Sequence, residues 1–167
     1  MSETLSRELR LRRFWCSGFG TGYFKPAPGT WGSAAAALIW WFLLAPLPLW
    51  QQLLVITVHT AISLYALLHS VVRESEITDP GWIVADEFAG QWLALLAAPQ
   101  IWWVALLGFG LFRLLDITKP WLIGMLDRST KGARGVMADD LVAGLLAAAV
   151  LHIALLALAT AEFSPAP

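Results

Sequence analysis

The distribution of charged residues is the feature of this sequence that most restricts its fold. Three long segments contain no Asp, Glu, Lys or Arg: residues 33–72, 88–112 and 141–161. The charges between these segments fall in three short patches: residues 73–87, 113–134 and 139–140. An ionisable side chain is costly inside hydrocarbon, so this layout predicts an all-α, polytopic membrane bundle whose polar residues gather on one side of the bilayer.

The composition is that of a single membrane domain. The chain is 58% hydrophobic, against about 45–50% apolar residues in soluble domains. We expect one domain over residues 1–167, with a surface-lying N-terminal segment at residues 1–17 and a tail at residues 162–167. With a net charge of −1 the chain has no overall electrostatic attraction to nucleic acid, so we expect no nucleic-acid partner. Cys16 is the only cysteine, so an internal disulfide and a thiolate metal cluster are excluded.

Hydrophobic runs predict four to five apolar helices separated by short polar or proline-containing turns. Their expected ranges are residues 34 to about 46–49, 53–72, 86–98, 101–119 and 139–159. The first is short for a membrane span, so a four-span bundle with one re-entrant helix is the alternative. Glycine and proline at residues 18–33 predict a loop. We also expect a short interfacial helix at residues 121–128 and a basic loop at residues 129–136.

The basic residues predict the orientation of the bundle. If the N-terminus is cytoplasmic and five helices cross the membrane, residues 46–52, 99–101 and 160–167 face outward. All eleven Lys and Arg then lie in segments that face inward. Cytoplasmic loops of membrane proteins carry an excess of Lys and Arg. The pattern therefore indicates a multi-pass protein with its polar site facing the cytoplasm.

Two pairs of adjacent acids stand where apolar helices are expected to begin. Asp86 and Glu87 form the first pair, and Asp139 and Asp140 form the second. Adjacent side chains point about 100° apart on a helix, so each pair can serve two ligands, or a ligand and a neighbour. Capping of the positive helix end is the alternative role for such a pair. Two pairs on the same membrane face favour a site for a hard cation such as Mg²⁺, Mn²⁺ or Ca²⁺.

Arg113, Asp116 and Lys119 follow one another at three-residue spacing near the end of the fourth predicted helix. Residues three apart share a helix face, so the three charges can form an internal salt-bridge ladder that lets them lie near the membrane. They can also form a phosphate clamp beside a metal ligand, because Arg offers a bidentate fork to phosphate oxygens and Lys a point charge. The spacing leaves both roles open.

Five further residues are weaker candidates for phosphate contacts. Lys131 and Arg134 lie in the predicted basic loop, where substrate contact and attraction to anionic lipid headgroups are equally good explanations. Lys25 is isolated in the Gly/Pro-rich loop. Thr30 and Ser33 lie where that loop opens into a helix, whose free N–H groups favour an anion.

The histidines are poor candidates for catalysis. His59 and His152 lie within predicted spans without neighbouring acids, so we expect them to pack or to line a pore. His69 is nearer the inner face but lacks the spacing typical of a metal ligand, and Cys16 is expected to be structural. The sequence offers no Ser-His-Asp or Cys-His arrangement. A carboxylate is therefore the expected general base.

Four stretches of the sequence are long and unlike generic membrane sequence: GFGTGYFKPAPGTWGS, VADEFAGQW, FRLLDITKPWLIGMLDR and GVMADDLVAG. In this order they resemble the phosphatidylglycerophosphatase A family of bacterial inner-membrane lipid phosphatases. The resemblance covers nearly the whole chain apart from the first dozen residues and the tail. It implies Mg²⁺-dependent removal of the terminal phosphate of phosphatidylglycerophosphate, giving phosphatidylglycerol. The specific substrate comes from this resemblance alone.

The charge patterns and the resemblance together suggest a mechanism at the inner leaflet. One or two Mg²⁺ are expected to be held by acids that are also catalytic: Asp86, Glu87, Asp139 and Asp140, with Asp116 as a further candidate. Phosphate is expected to be bound by basic residues: Arg113, Lys119, Lys25, Lys131 and Arg134. Backbone or hydroxyl contacts are expected from Gly20, Gly22, Thr30 and Ser33. A metal-bound water and an aspartyl-phosphate intermediate remain alternative routes.

Two other functions are compatible with parts of the sequence. A transporter or channel subunit also places charges in a membrane, but it needs them along a span, whereas here they collect at one end. CDP-alcohol phosphotransferases combine acidic clusters with a Gly-Ala-Arg element, which Gly132-Ala133-Arg134 superficially matches. The spaced aspartates that this second family needs are absent here. Both differences favour the phosphatase.

Overall fold

The computed structural model describes residues 3–71, 81–120 and 133–162. All regular structure in these residues is helical, so the predicted all-α class is confirmed. They form six α-helices: α1 (Glu3–Cys16), α2 (Pro28–Ile39), α3 (Leu49–Ala66), α4 (Ala85–Ala94), α5 (Trp102–Thr118) and α6 (Ala133–Glu162). Three tighter or wider helical turns accompany them: a 3₁₀ turn at Thr21–Tyr23 and π-helical turns at Trp40–Leu44 and Leu67–Val71.

The start of α2 differs from the prediction. The loop that was expected to reach Ser33 ends at Ala27, and Pro28 opens the helix. Proline is favoured at the first helical position, because its fixed φ suits the helix and its missing N–H has no partner there in any case. Ser33 donates its hydroxyl hydrogen to the carbonyl of Gly29 at 2.8 Å. Thr30 and Ser33 therefore belong to the first two turns of a helix rather than to a loop.

α4 is the centre of the bundle although it has only ten residues. α2, α3, α5 and α6 all pack against it, α6 most extensively. Eight of its residues are buried: Ala85, Asp86, Phe88, Ala89, Gly90, Gln91, Trp92 and Ala94. A helix enclosed on every side that carries two acids must find partners for them, since an isolated buried charge is very costly.

Two glycines allow α4 and α6 to cross in backbone contact. A Cβ on Gly144 would collide with the backbone of Gly90. A Cβ on Gly90 would lie 2.5 Å from the Phe112 ring and 2.6 Å from the Asp140 carbonyl oxygen. Because only hydrogen fits at both positions, the two helices approach closely enough to bring the start of α4 beside Asp140, one turn before Gly144 on α6.

Neutral amide side chains join the turns at the opposite end of the bundle. Gln52 donates to the carbonyl of Leu47 at 2.9 Å and accepts the N–H of Ala97 at 3.3 Å. Gln100 donates to the carbonyl of Trp41 at 2.7 Å. These bonds tie the α2–α3 connection to the α4–α5 connection, so the chain reversals at this end support one another.

Two described segments are long and apolar enough to cross a membrane, judged by length and composition: Leu49–His69 and Gly135–Ala161. Only 33% and 22% of the most apolar stretch of each segment, respectively, is buried inside the protein. Most of their apolar surface therefore faces outward. The finer prediction of four to five crossing helices is not confirmed. The ten residues of α4 rise only about 15 Å. The 17 residues of α5 rise about 26 Å, against a hydrocarbon core of about 30 Å.

Other predicted boundaries also change. α5 lies where it was expected, but α4 ends at Ala94 rather than Ala98 because Ala97 turns into the left-handed conformation at φ 57°. α6 begins at Ala133, since alanine and methionine favour a helix here and the single Gly135 does not interrupt it. The acids at 139–140 therefore lie inside the helix, not at its start. The helix predicted at 121–128 and the tail from 163 onward lie outside the described residues.

Candidate active site

Three carboxylates from two helices converge at one end of the bundle. Asp86 and Glu87 are the second and third residues of α4, and Asp140 comes from α6. One carboxylate oxygen of each lies within 4.8 Å of one from each of the other two. Asp86 and Asp140 are buried, and Glu87 is half-buried. We call these three residues the acidic cluster; it contains members of both acidic pairs seen in the sequence.

Contacts with α1 and α3 fix the start of α4, where the first acidic pair lies. Val84 occupies the position before the helix and makes no side-chain capping bond. Its N–H donates to the carbonyl of Cys16 at 2.9 Å. Nε2 of His59, on α3, bonds to the carbonyl of Ala85 at 2.8 Å. The acids that follow lie at the positive end of α4, which favours negative charge.

Asp116 and Arg113 extend the acidic cluster from α5. The carboxylates of Asp116 and Asp140 lie close enough to interact electrostatically. Nη1 of Arg113 donates to Oδ2 of Asp116 at 2.5 Å and to the hydroxyl of Ser33 at 3.4 Å. The site therefore combines four carboxylates with a guanidinium whose orientation is held by α2 and α5.

The N-terminus of α2 comes so close to the acidic cluster that any side chain at residue 29 would displace charged groups of the site. A Cβ on Gly29 would overlap the carboxylate of Glu87 and lie 3.1 Å from Nη2 of Arg113. The first N–H groups of a helix have no partner within it, so this helix end is suited to an anion. Gly29 and Arg113 thus give the site positively polarised donors next to its acids.

A second acid–base pair lies beside the acidic cluster. Nζ of Lys119 donates to Oδ2 of the buried Asp139 at 2.5 Å. Lys119 ends α5 in the left-handed conformation at φ 42°, because the following proline disfavours the helical conformation of the residue before it. The predicted ladder along α5 forms between Arg113 and Asp116, whereas Lys119 pairs across to α6. Adjacent Asp139 and Asp140 thus serve two different neighbours, as their angular separation on a helix predicts.

The acidic cluster carries more negative charge than its described neighbours neutralise. Among the described residues, Oε2 of Glu87 and Oδ2 of Asp140 are enclosed and accept no hydrogen bond. Desolvation raises the pKa of Glu87 well above its usual range, and the neighbouring carboxylates, first that of Asp86, raise it further. A divalent cation between these oxygens would relieve both the lost solvation and the repulsion. Carboxylate oxygens are the ligands that Mg²⁺ and Ca²⁺ prefer, so the residues fit a hard metal ion.

The other predicted phosphate contacts are less closely tied to the acidic cluster. Lys25 is exposed in the loop before α2, and within the described part of the chain it forms no ion pair. Thr30 is half-buried in the first turn of α2. Arg134 belongs to the first turn of α6, and Lys131 lies outside the described residues, so their predicted contacts are not tested.

Two residues of the site have contacts that the sequence did not define. Gly29 belongs to residues 29–33, which gave a weak signal for an anion at a helix start, and its contacts depend on the approach of α4 and α5 to α2. His59 was expected to pack or to line a pore; it is buried, and its ring packs against Phe88 and Trp92. Its bond to the first residue of α4 was not foreseen, because no sequence pattern joins α3 to that carbonyl.

Two other residues do not take part in the site. Gly22 was expected to approach the substrate, but a Cβ at this position would overlap the carbonyl group of Trp82. It therefore supports the loop between α1 and α2. Burial, with a smaller contribution from Asp86, raises the pKa of the Cys16 thiol to about 12. The thiol stays protonated and unreactive, which agrees with the structural role expected for it.

A family model and two relatives that match the chain carry the same name. The family model described as phosphatidylglycerophosphatase A matches residues 14–155. The chain is 43% identical over 137 residues to phosphatidylglycerophosphatase A of Escherichia coli (strain K12), covering 81% of this chain and 78% of that protein. It is 36% identical over 135 residues to phosphatidylglycerophosphatase A of Haemophilus influenzae, covering 80% of this chain and 82% of that protein.

A third relative has a different name. The chain is 35% identical over 147 residues to the "Putative phosphatidylinositol-3-phosphatase" of Bacteroides thetaiotaomicron, covering 83% of this chain and 89% of that protein. No solved structure matches the chain with significance. The matched family segment, residues 14–155, contains the acidic cluster, Arg113, Lys119 and Gly29.

Proposed function

The chain belongs to the phosphatidylglycerophosphatase A family, and from this membership we propose that it hydrolyses the terminal phosphate monoester of phosphatidylglycerophosphate, giving phosphatidylglycerol. We assign this activity to one end of the bundle, because the acidic cluster, Arg113 and the N-terminus of α2 converge there. Such a site combines oxygen ligands for a cation with positively charged donors for a phosphate.

The headgroup assignment follows the relatives' names. Two relatives carry the name phosphatidylglycerophosphatase A, and the third is named for a phosphoinositide. All three names describe a phosphate monoester on a lipid headgroup, so the chemistry at phosphorus is shared. We assign the glycerophosphate headgroup because the family model and the 43% identical relative agree on it. The phosphoinositide is the alternative that a substrate comparison must exclude.

We assign Mg²⁺ as the cation of this site. Asp86, Glu87 and Asp140 would hold it, with Asp116 as a further ligand. When bound, Mg²⁺ would polarise the phosphoryl oxygens and lower the pKa of a coordinated water. Asp139 was expected to be a ligand as well, but its pairing with Lys119 gives it a supporting role in this proposal.

Arg113 and the N-terminus of α2 bind the phosphate in this proposal. Asp116 and Ser33 hold the guanidinium in one orientation, so little reorganisation is needed when the substrate arrives. Nε of Arg113 is enclosed and donates no hydrogen bond within the described part of the chain, which leaves a donor for a phosphate oxygen. The backbone around Gly29 adds N–H donors, and Lys119 adds a positive charge beside them.

A carboxylate of the acidic cluster acts as general base. In direct hydrolysis it takes a proton from the attacking water as the water oxygen bonds to phosphorus. The bond from phosphorus to the glycerol oxygen breaks, and the carboxylic acid or solvent returns a proton to that oxygen, so the glycerol leaves as an alcohol. In the alternative, a carboxylate oxygen bonds to phosphorus and the glycerol oxygen leaves with a proton from solvent; water then cleaves the resulting acyl phosphate, which frees phosphate and restores the carboxylate. Rapid acid quenching during turnover distinguishes the two routes, because labelled phosphate attached to protein would support the second.

We place the bundle in the bacterial inner membrane with the acidic cluster at the cytoplasmic surface. The two apolar candidate spans support this placement. So do large exposed hydrophobic side chains on four helices: Leu38, Leu54, Ile62, Leu106, Ile153 and Leu156. Exposed apolar surface on this scale marks a membrane or partner contact, and the distribution of Lys and Arg sets the direction. The headgroup then meets the site while the acyl chains stay in the bilayer.

Phosphate release by the purified full-length protein tests this function. We expect phosphatidylglycerophosphate in detergent micelles to be hydrolysed with Mg²⁺, and the rate to be lost in EDTA and restored by added Mg²⁺. As a matched pair, Asp140→Asn should abolish release. Glu8→Gln, which removes an acid paired with Arg12 on α1, should not. Full activity in EDTA would contradict the metal assignment, and faster release from phosphatidylinositol 3-phosphate would contradict the headgroup.

A further inference from the structure

An apolar groove lies between α2 and α5, beyond the phosphate-binding end of these helices. Its volume is about 490 Å³, within the range of about 300–1,000 Å³ that is typical of ligand pockets. Side chains from both helices line it, among them Ala34, Ala37, Trp41, Trp102, Ala105 and Phe109. The groove is part of the outer surface that the bundle presents to the membrane in the placement proposed above.

Small residues and a local change in helix geometry create the groove. Residues 34–37 are all alanine. Ala36 faces the core, where its carbonyl accepts the Trp92 indole N–H at 2.8 Å, whereas Ala34 and Ala37 line the groove. The π-helical turn that follows buries Trp40 and leaves Trp41 on the groove side. Such turns occur frequently at functional sites.

The groove begins about one helical turn from the candidate active site. Ala37 lies four residues after Ser33 on α2, and Phe109 lies four residues before Arg113 on α5. Residues four apart share a helix face, so the groove begins one turn below the hydrogen bond that joins Ser33 and Arg113 at 3.4 Å. A lipid whose phosphate is bound at Arg113 can therefore extend an apolar chain directly along the groove.

We propose that this groove binds one acyl chain of the substrate lipid. The proposal rests on the phosphatase function above and adds to it a binding site for the apolar part of the substrate. The stretch from Ala34 to Trp41 rises about 10 Å along α2, so it accommodates the part of the chain nearest the glycerol. Bulk phospholipid lacks the terminal phosphate that Arg113 and the start of α2 bind, and this favours the substrate over its neighbours.

The substrate is bound at its headgroup by the site and at its acyl chain by the groove. The groove therefore has a role in catalysis as well as in affinity. Contacts to a remote, non-reacting part of a substrate help to orient the reacting part. A chain seated along α2 and α5 fixes the direction in which the headgroup enters the acidic cluster. The enzyme should therefore discriminate among lipids by the length of the chain as well as by the headgroup.

Groove-filling variants test this proposal. Ala37→Trp and Ala105→Phe fill the groove from its two walls, and Ala149→Trp adds the same bulk on the exposed face of α6. We would measure kcat/KM for dioleoyl and dibutyryl phosphatidylglycerophosphate in the same micelles. The ratio of long-chain to short-chain kcat/KM should fall about tenfold in both groove variants and stay at the wild-type value in Ala149→Trp. An unchanged ratio in both groove variants, or an equal fall in Ala149→Trp, overturns the proposal.

Photolabelling of the wild-type protein gives a second measurement that does not depend on the folding of variants. A substrate with a photoreactive diazirine in its acyl chain should label α2 and α5, and unlabelled substrate should suppress the labelling. Equal suppression by phosphatidylcholine would assign the groove to bulk lipid and overturn the proposal. Failure of the phosphatase function itself would appear differently, as an absence of phosphate release from both substrates by the wild-type protein.

Discussion

The two ends of the helical bundle use their polar side chains in opposite ways. At the opposite end from the site, which we call the amide end, Gln52 and Gln100 join neighbouring turns through hydrogen bonds to backbone groups. At the acidic end, Glu87 and Asp140 each keep an enclosed oxygen that accepts no hydrogen bond from the described residues. At the amide end, the glutamine side chains bond to neutral backbone groups. At the acidic end, charged carboxylate oxygens remain available to a bound ligand.

This difference separates stability from function. Neutral hydrogen bonds between turns lower the free energy of the folded state without creating reactivity. Crowded carboxylates raise one another's pKa and weaken the metal-free fold, which is a common property of sites that bind or react. Substitutions at the acidic end should therefore change activity far more than stability, and substitutions at the amide end should do the reverse.

The largest effect is expected when one acid of the cluster is neutralised. Asp86→Asn should lower kcat by about 10³-fold or more, because the cation loses a ligand and the phosphate its charge compensation. The melting temperature without metal should be unchanged or higher, since a repulsive charge is removed. Phosphate release and thermal unfolding in EDTA measure the two quantities. If Asp86→Asn loses activity and stability in parallel, Asp86 has a structural role like that of Gln52, and the prediction is wrong.

The next largest effect is expected from one added methyl group. Gly29→Ala has no room beside Glu87 and Arg113, so displacement of these groups should lower kcat/KM by about 10²-fold. Gly110→Ala on α5 is the matched control, because a Cβ there meets no neighbour within 4 Å, and this variant should keep wild-type kcat/KM. Equal activity of the two variants would show that α2 does not form a wall of the site.

At the amide end, stability should change while catalysis does not. Gln52→Leu removes the hydrogen bonds to Leu47 and Ala97, two partly buried bonds that join neighbouring turns, so it should cost about 1 kcal/mol of folding free energy. The kcat per folded molecule should match the wild type. Denaturant or thermal unfolding in detergent, together with initial rates well below the melting temperature, measures both. A large loss of kcat at full folding would show that the two ends are coupled.

The smallest expected effect is a pH dependence of the metal-free protein. The pKa of Glu87 is raised in the folded state, so the folded protein holds this proton more tightly than the unfolded chain does. The resulting stabilisation is full below the ordinary pKa of about 4.3 and is lost as pH rises through the folded pKa. The melting temperature in EDTA should therefore fall as the pH rises above this ordinary pKa. Glu87→Gln should flatten this slope and Glu8→Gln should not; a slope retained in Glu87→Gln would assign it to another group.

The sequence predicted those features that depend on local patterns. The all-α class follows from the long apolar runs, and the bounds of α5 follow from Pro99 and Pro120 on either side of it. The adjacency of Asp86 and Glu87 at a helix start was also correct. The pairing of Arg113 with Asp116 follows from their three-residue spacing alone. Each of these properties is determined by residues close together in the chain.

Features that depend on contacts between distant helices were not predicted. Nothing in the sequence distinguishes Gly90 and Gly144 from other glycines, because their role depends on the crossing of α4 and α6. The same crossing brings Asp140 to the acidic cluster from inside α6 rather than from its first turn. In the salt-bridge alternative, Lys119 was expected to pair along its own helix, but the left-handed end of α5 directs it to Asp139. Sequence periodicity reports which face of a helix is apolar, but not which helix will lie against it.

The contact of α4 with α6 has a consequence for the order of biogenesis. α4 is short, carries two acids and a buried glutamine, and is a poor candidate to enter a membrane unaided. Its most extensive partner, α6, follows all the other described helices in the chain. We therefore expect α4 to be held near α2 and α3 until α6 emerges and docks against Gly90. An assembly intermediate that stops before this step lacks Asp140, so the acidic cluster is complete only when α6 is in place.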